Sequence, residues 1–86
     1  MDYDHINYLG YLAGILTTLA FLPQVVNCWK TKKTKDVSLK MFLIFTFGVF
    51  LWLIYGYLTL NFPIFIANFI TLILSILIII AKLKYG

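Results

Sequence analysis

The stretch LAFLPQVV, residues 19–26, places a proline and a glutamine inside a long apolar segment. That segment, residues 8–29, contains no Asp, Glu, Lys, Arg or His, and neither do segments 41–60 and 62–81. Each has about the ~20 residues that a helix needs to cross ~30 Å of hydrocarbon. None alternates over ~10 residues as the strands of a membrane barrel do. We therefore predict an all-α membrane protein, a single domain over residues 1–86 with three spans and a basic loop at 30–40.

The lysines predict how these spans are oriented. All seven basic residues are lysines, and they lie only between spans one and two and after span three: Lys30, Lys32, Lys33, Lys35, Lys40, Lys82 and Lys84. Basic residues near span ends stay in the cytoplasm, so we expect the N-terminus outside and the C-terminus in the cytoplasm. We interpret KTKKTK, residues 30–35, as a loop held near anionic lipid headgroups. We expect the lipid bilayer to be its partner, and no nucleic acid.

Glycine, polar, aromatic and methionine residues recur every three or four positions, which places them on one face of each predicted helix. They are Gly10, Gly14, Thr17, Phe21 and Gln24; Met41, Phe45, Gly48, Trp52, Tyr55 and Thr59; and Asn68, Thr71 and Ser75. Packing within one chain is one explanation, since G-x-x-x-G lets helices approach closely. Asn68 instead favours a face that meets another protein surface or a wet cavity. An amide in hydrocarbon needs hydrogen-bond partners that we expect span three not to supply. Three helices are also too few to enclose a solute, so a passage requires a second copy.

Pro23 removes one backbone hydrogen bond inside span one. It has no N–H for the carbonyl of Leu19, and its ring clashes there, at a cost of ~3 kcal/mol or more in water. Helices kink at such positions, and in a membrane the freed carbonyl needs another partner. The side chain of Gln24 has the donor and the acceptor to bond that carbonyl or a neighbouring helix. The residues alone leave both a static kink and a moving hinge open.

The pair Pro23-Gln24, in a three-span chain with a lysine-rich first loop, resembles the PQ-loop family. The similarity is strongest to the bacterial SemiSWEET sugar transporters within that family. Trp52 in FLWLIYGY and Asn68 in PIFIANFITL extend the resemblance over nearly the whole chain. It implies a parallel homodimer in the bacterial cytoplasmic (inner) membrane with its pocket between the protomers. The activity it implies is facilitative transport (uniport) of a mono- or disaccharide by alternating access.

The resemblance also implies a role for individual residues. Trp52 and Asn68 would bind the sugar, and Pro23 and Gln24 would form a hinge. The outer gate would be Tyr55, Thr59 and Asn61, and the inner gate Phe21, Met41 and Phe45. Family members often have charged residues beyond the gate tyrosine, where this chain has Thr59 and Asn61. We therefore expect the outer gate to close without a salt bridge.

Two alternatives to sugar transport fit the same residues. One is a non-transporting membrane subunit whose polar faces contact a different protein, and the other is a PQ-loop transporter of another small neutral solute. We do not expect an enzyme, because no span contains a nucleophile with a base, paired carboxylates or a set of metal ligands. For the same reason we expect no cofactor and no metal. Because the spans contain no ionisable side chain of the usual kind, we favour transport that is not coupled to an ion.

Overall fold

The computed structural model describes residues 3–86, with side chains from Ile6 onward. It contains three helices: α1 at Tyr3–Thr31, α2 at Leu39–Leu58 and α3 at Phe62–Tyr85. Each is long and apolar enough to cross a membrane. The predicted all-α fold of three membrane-length helices is confirmed. Because α2 ends at Leu58, Thr59 lies in the following turn, outside the helix that corresponds to the predicted span 41–60.

Polar side chains define where α2 and α3 begin. The Ser38 hydroxyl accepts a hydrogen bond of 3.2 Å from the N–H of Met41, and the Asn61 side-chain oxygen accepts one of 3.3 Å from Ile64. These bonds satisfy N–H groups that have no partner within the helix. Pro63 lies in the first turn of α3, where its missing N–H costs nothing. Local sequence therefore determines both starting points.

The turn between α2 and α3 is short because Leu60 adopts a left-handed backbone conformation, with φ 54°. The N–H of Asn61 donates to the carbonyl of Gly56 at 2.9 Å, and that of Leu60 donates to Tyr57 at 3.2 Å. This pair of bonds is the Schellman pattern, in which glycine usually occupies the left-handed position. Here a leucine takes it, at a cost of roughly 1–2 kcal/mol. The chain reverses within three residues, and α3 returns beside α2.

α3 lies between α1 and α2 and packs on both, whereas across the described residues α1 and α2 make no comparable backbone contact. The approach of α1 to α3 is close. A methyl group added at Gly10 would lie 2.7 Å from Pro63 Cβ, and one at Gly14 would lie 2.9 Å from Ala67 Cβ. Gly10 and Gly14 therefore serve packing inside one chain, and their pairing makes α1 and α3 parallel.

The contacts of α2 with α3 are antiparallel. The Thr46 hydroxyl donates to the Ser75 hydroxyl at 3.0 Å, and a methyl group added at Gly56 would lie 2.8 Å from the backbone of Phe65. Ser75 is fully buried. It is therefore a packing residue between two helices, and it does not line an open face.

This topology gives the bundle two different ends. The turn end carries the α2–α3 turn and the start of α1, and the lysine end carries the α1–α2 loop and the C-terminus. Both lysine clusters therefore lie at the lysine end. The bundle is 48 Å long, compared with ~40–45 Å for a bilayer with its headgroups.

The hydrophobic core lies toward the lysine end. It consists of Val25, Phe42, Leu74 and Ile78. The indole N–H of Trp29 donates to the carbonyl of Leu77 at 3.1 Å, which joins α1 to α3 beside this core. Lys82 donates to the carbonyl of Thr34 at 2.8 Å and so attaches the loop to α3. The lysine end is thus held by side-chain packing, and the turn end by close approach at the glycines.

Candidate functional site

An open groove follows the seam between α1 and α3 on the side that faces α2. Its volume is about 280 Å³, and we call it the polar groove. Its lining residues are Gly10, Ala13, Gly14, Thr17, Pro63, Ile64, Ala67, Asn68 and Thr71. Two contacts establish which side it occupies: Ile64 approaches Gly56 of α2, and Phe21, one turn after Thr17, contacts rings of α2. Asn68 and Thr71 therefore lie between the two outer helices.

The other side of the same seam is an apolar groove of about 180 Å³. Besides the shared small residues, its lining consists of Tyr11, Ile15, Thr18, Leu19, Ile66 and Ile70. Thr18 is the only serine or threonine in this lining. The two sides of the seam therefore differ in chemistry, and polar side chains concentrate on the side toward α2.

The predicted sugar-binding residues lie at one level of the bundle. Thr46 is level with Ser75 and Gly56 with Phe65, so the antiparallel register places Trp52 level with residue 69, directly beside Asn68 in the chain. Trp52 is 55% exposed in the single chain. Its ring meets that of Tyr55 edge-on, with centroids 5.4 Å apart. An exposed indole and an amide thus occur at the same depth, on the α2 and α3 sides.

The Asn68 amide finds one hydrogen-bond partner within its own helix. Its side-chain N–H donates to the carbonyl of Ile64 at 2.8 Å, so α3 itself supplies one partner. The prediction that span three could not do so is wrong for this donor, because the carbonyl four residues back is within reach of the short side chain. One further N–H and the amide oxygen remain for other partners. Asn68 is half-buried and lines the polar groove.

Three phenylalanine rings join α1 to α2 nearer the lysine end. Phe21 stacks on Phe45 with centroids 5.8 Å apart, and Phe42 meets both edge-on at 6.1 Å and 6.2 Å. The structure thus brings together two of the predicted inner-gate residues. The third, Met41, lies one turn beyond Phe45 and is exposed. Sequence analysis missed Phe42, although its seven-residue spacing from Val49 and Gly56 marks a buried face.

The residues predicted for the outer gate have local roles in this chain. The Thr59 hydroxyl donates to the carbonyl of Tyr55 at 2.8 Å, and Asn61 caps α3 through its side-chain oxygen. Both side chains thus stabilise helix ends. Tyr55 itself is half exposed, on the same face as Trp52 and one turn nearer the turn end. Their function as a gate stays a prediction.

Pro23 does not interrupt α1, which is helical from Tyr3 to Thr31. Pro23 and Gln24 are both exposed. Within the described part of the chain the Gln24 amide forms no hydrogen bond, so it does not bond the freed carbonyl of Leu19. Among the described residues this amide therefore has no hydrogen-bond partner.

No group of three or more His, Cys, Asp or Glu side chains among the described residues could hold a metal ion. The face described above instead offers amides, hydroxyls and aromatic rings. Such groups can bind a neutral ligand that carries both hydrogen-bonding groups and an apolar surface.

Comparison with known proteins gives consistent matches. A family model described as the PQ loop repeat matches residues 6–65. A protein named sugar transporter SemiSWEET from Leptospira biflexa is 45% identical over 93% of this chain and 94% of its own length. One of the same name from Bradyrhizobium diazoefficiens is 41% identical over the full length of both chains.

Two solved structures are similar in backbone as well as in sequence. A crystal structure of a bacterial homologue of SWEET transporters matches with a TM-score of 0.88 at 45% identity, covering 99% of this chain and 100% of that one. A crystal structure of SemiSWEET in the inward-open conformation matches with a TM-score of 0.87 at 34% identity. That match covers 94% of this chain and 87% of the other.

Proposed function

Since this chain belongs to the PQ-loop family, we propose that it is a sugar transporter that works as a parallel homodimer. Its relatives with a named activity are sugar transporters and not enzymes. The observation in the chain that supports this function most directly is the common level of Trp52 and Asn68 on a face that α1 and α2 leave open.

The open face supports a second copy. Thr17 and Gln24 of α1 are exposed, and Asn68 and Thr71 of α3 are half-buried, all within membrane-length helices. Polar groups that face hydrocarbon are costly, so another protein surface or water must cover them. An identical chain, related by an axis along the membrane normal, covers both faces at once. Two facing grooves then enclose about twice 280 Å³, within the ~300–1,000 Å³ of typical ligand pockets.

Trp52 and Asn68 suit the chemistry of a sugar. A pyranose ring has an apolar C–H face that can lie on the indole, and its hydroxyls can donate to and accept from the amide. The dimer presents each group twice. At about 0.5–1.5 kcal/mol net for each hydrogen bond, a few such contacts give a dissociation constant on the order of 1 mM, or about 4 kcal/mol. Binding of this strength lets the sugar leave readily.

The gates lie on either side of this pocket. Tyr55 lies toward the turn end, and Phe21 and Phe45, followed by Met41, lie toward the lysine end. Rocking of the helices about Pro23 would separate the residues of one gate while those of the other gate come together, so that the pocket opens to one side of the membrane at a time. The missing backbone bond at Pro23 makes bending there easier.

The lysine end faces the cytoplasm in this proposal, because basic residues near span ends are retained there. The N-terminus is then outside, and the protein lies in the bacterial cytoplasmic membrane. Transport is a uniport without a coupled ion, since segments 8–29, 41–60 and 62–81 contain no Asp, Glu, Lys, Arg or His.

Uptake of labelled glucose and sucrose into vesicles containing the purified protein tests this function. We expect saturable uptake that stops at equal concentrations inside and outside, and a large loss of uptake in Trp52→Ala and in Asn68→Ala. Phe47→Ala is the aromatic control, because Phe47 is exposed on another face of α2. Normal uptake by both pocket variants would refute the site assignment. Accumulation above equilibrium under a proton or sodium gradient would refute uniport.

A further inference from the structure

Two hydroxyl groups lie beside Asn68 in the polar groove, those of Thr17 on α1 and Thr71 on α3. Both lie within about one helical turn of Asn68 along the bundle. Thr71 follows it by three residues, or about 4.5 Å of rise, and the pairing of Gly14 with Ala67 places Thr17 level with residue 70. The three polar side chains are therefore close enough to contact one small ligand.

The two hydroxyls differ in what they can offer. The Thr17 hydroxyl donates its proton to the carbonyl of Gly14 at 3.1 Å, so toward the groove it presents only an acceptor. The Thr71 hydroxyl makes no hydrogen bond within the described part of the chain, so it can donate or accept. A ligand atom that reaches Thr17 must consequently bring its own proton.

Thr18 provides an internal comparison. It follows Thr17 directly on α1, yet it lines the apolar groove on the opposite side of the seam. Both threonines lie one turn from the contact of Gly14 with Ala67, so Thr18→Val controls for a change in the packing of α1 on α3. Only Thr17 shares its groove with Asn68.

On the premise that the chain transports a sugar, we propose that Thr17 and Thr71 are specificity-determining residues of the pocket. Thr17 selects for a free hydroxyl on the sugar, because its own proton is already engaged. A sugar that is deoxygenated or O-methylated at that position has no proton to donate and binds more weakly. Thr71 contributes a second, less selective contact one turn from Asn68.

The experiment measures uptake kinetics in vesicles for the wild type, Thr17→Val, Thr71→Val and the control Thr18→Val. The substrates are glucose and a set of glucoses, each deoxygenated or O-methylated at one position. Valine keeps the shape of threonine and removes the hydroxyl. We expect Thr17→Val and Thr71→Val to raise the KM for glucose about 3- to 10-fold, the effect of losing about one hydrogen bond, with kcat changed less. We expect Thr18→Val to behave like the wild type.

The sugar series separates recognition from a structural role. The wild type should discriminate several-fold at one hydroxyl position, and Thr17→Val should lose that discrimination while Thr71→Val keeps it. Thr17→Ser, which retains the hydroxyl, should transport like the wild type. It is the control for a structural effect of changing residue 17. Unchanged KM and unchanged discrimination in Thr17→Val would overturn this inference and leave the proposed function intact. A wild type that moves no sugar at all would overturn both.

Discussion

Replacing Gly10 with alanine tests the close approach of α1 to α3. The new methyl group would lie 2.7 Å from Pro63 Cβ, about 1 Å inside the 3.5–4.0 Å at which carbon atoms pack. The proline ring is rigid, so the two helices must move apart. Overpacking of this kind costs about 1–3 kcal/mol, and the better helix propensity of alanine returns at most about 1 kcal/mol. We expect a net destabilisation of about 1–2 kcal/mol for Gly10→Ala.

The assay is reversible unfolding in mixed detergent micelles, followed by helical circular dichroism. Gly48→Ala is the matched control, because a methyl group at Gly48 meets nothing within 4 Å in the single chain. Gly48→Ala should be as stable as the wild type or slightly more stable. If Gly10→Ala unfolds at the same denaturant concentration as Gly48→Ala, the helices are not in the contact that we describe.

Three further changes have definite expected outcomes. Leu60→Gly should raise the free energy of unfolding by about 1 kcal/mol, because glycine removes the cost of the left-handed conformation at the end of α2; a decrease would argue against this turn. Thr34→Val should be neutral or stabilise by about 1 kcal/mol in the same assay, because the Thr34 hydroxyl is buried and has no hydrogen-bond partner among the residues that the structure describes. Pro23→Ala should slow sugar turnover in vesicles while sugar affinity, measured by calorimetry, stays close to that of the wild type. Unchanged turnover in that variant would remove the hinge.

The sequence predicted the three helices because their length, apolar content and lack of charge are sufficient to identify them. It did not predict that α3 lies in the middle. The order of the helices depends on which helix faces fit together. Gly10 and Gly14 indicate that order only when their contacts with Pro63 and Ala67 are known. The G-x-x-x-G spacing alone is equally compatible with contact between two chains.

The candidate site was predictable in part. The helical spacing of Trp52 and Tyr55 correctly placed them on one open face. Ser75 belonged to a predicted polar face, yet it is buried because the Thr46 hydroxyl bonds to it across the α2–α3 contact. Asn68 was expected to lack a partner in α3, and its bond to the carbonyl of Ile64 shows why residue type alone does not determine hydrogen bonding. Such pairings depend on side-chain direction, which a one-dimensional pattern does not contain.

The proposed function depends most on whether two chains form one passage. Wild-type protein is co-expressed in equal amounts with a transport-dead Asn68→Ala variant, purified as the mixture and reconstituted into vesicles for sugar uptake. If each passage needs a working pocket residue from both copies of a dimer, random pairing leaves about one quarter of the wild-type rate for the same total protein. A rate of about one half is what chains that carry sugar independently would give, and it would contradict a passage that needs a working pocket residue from both copies.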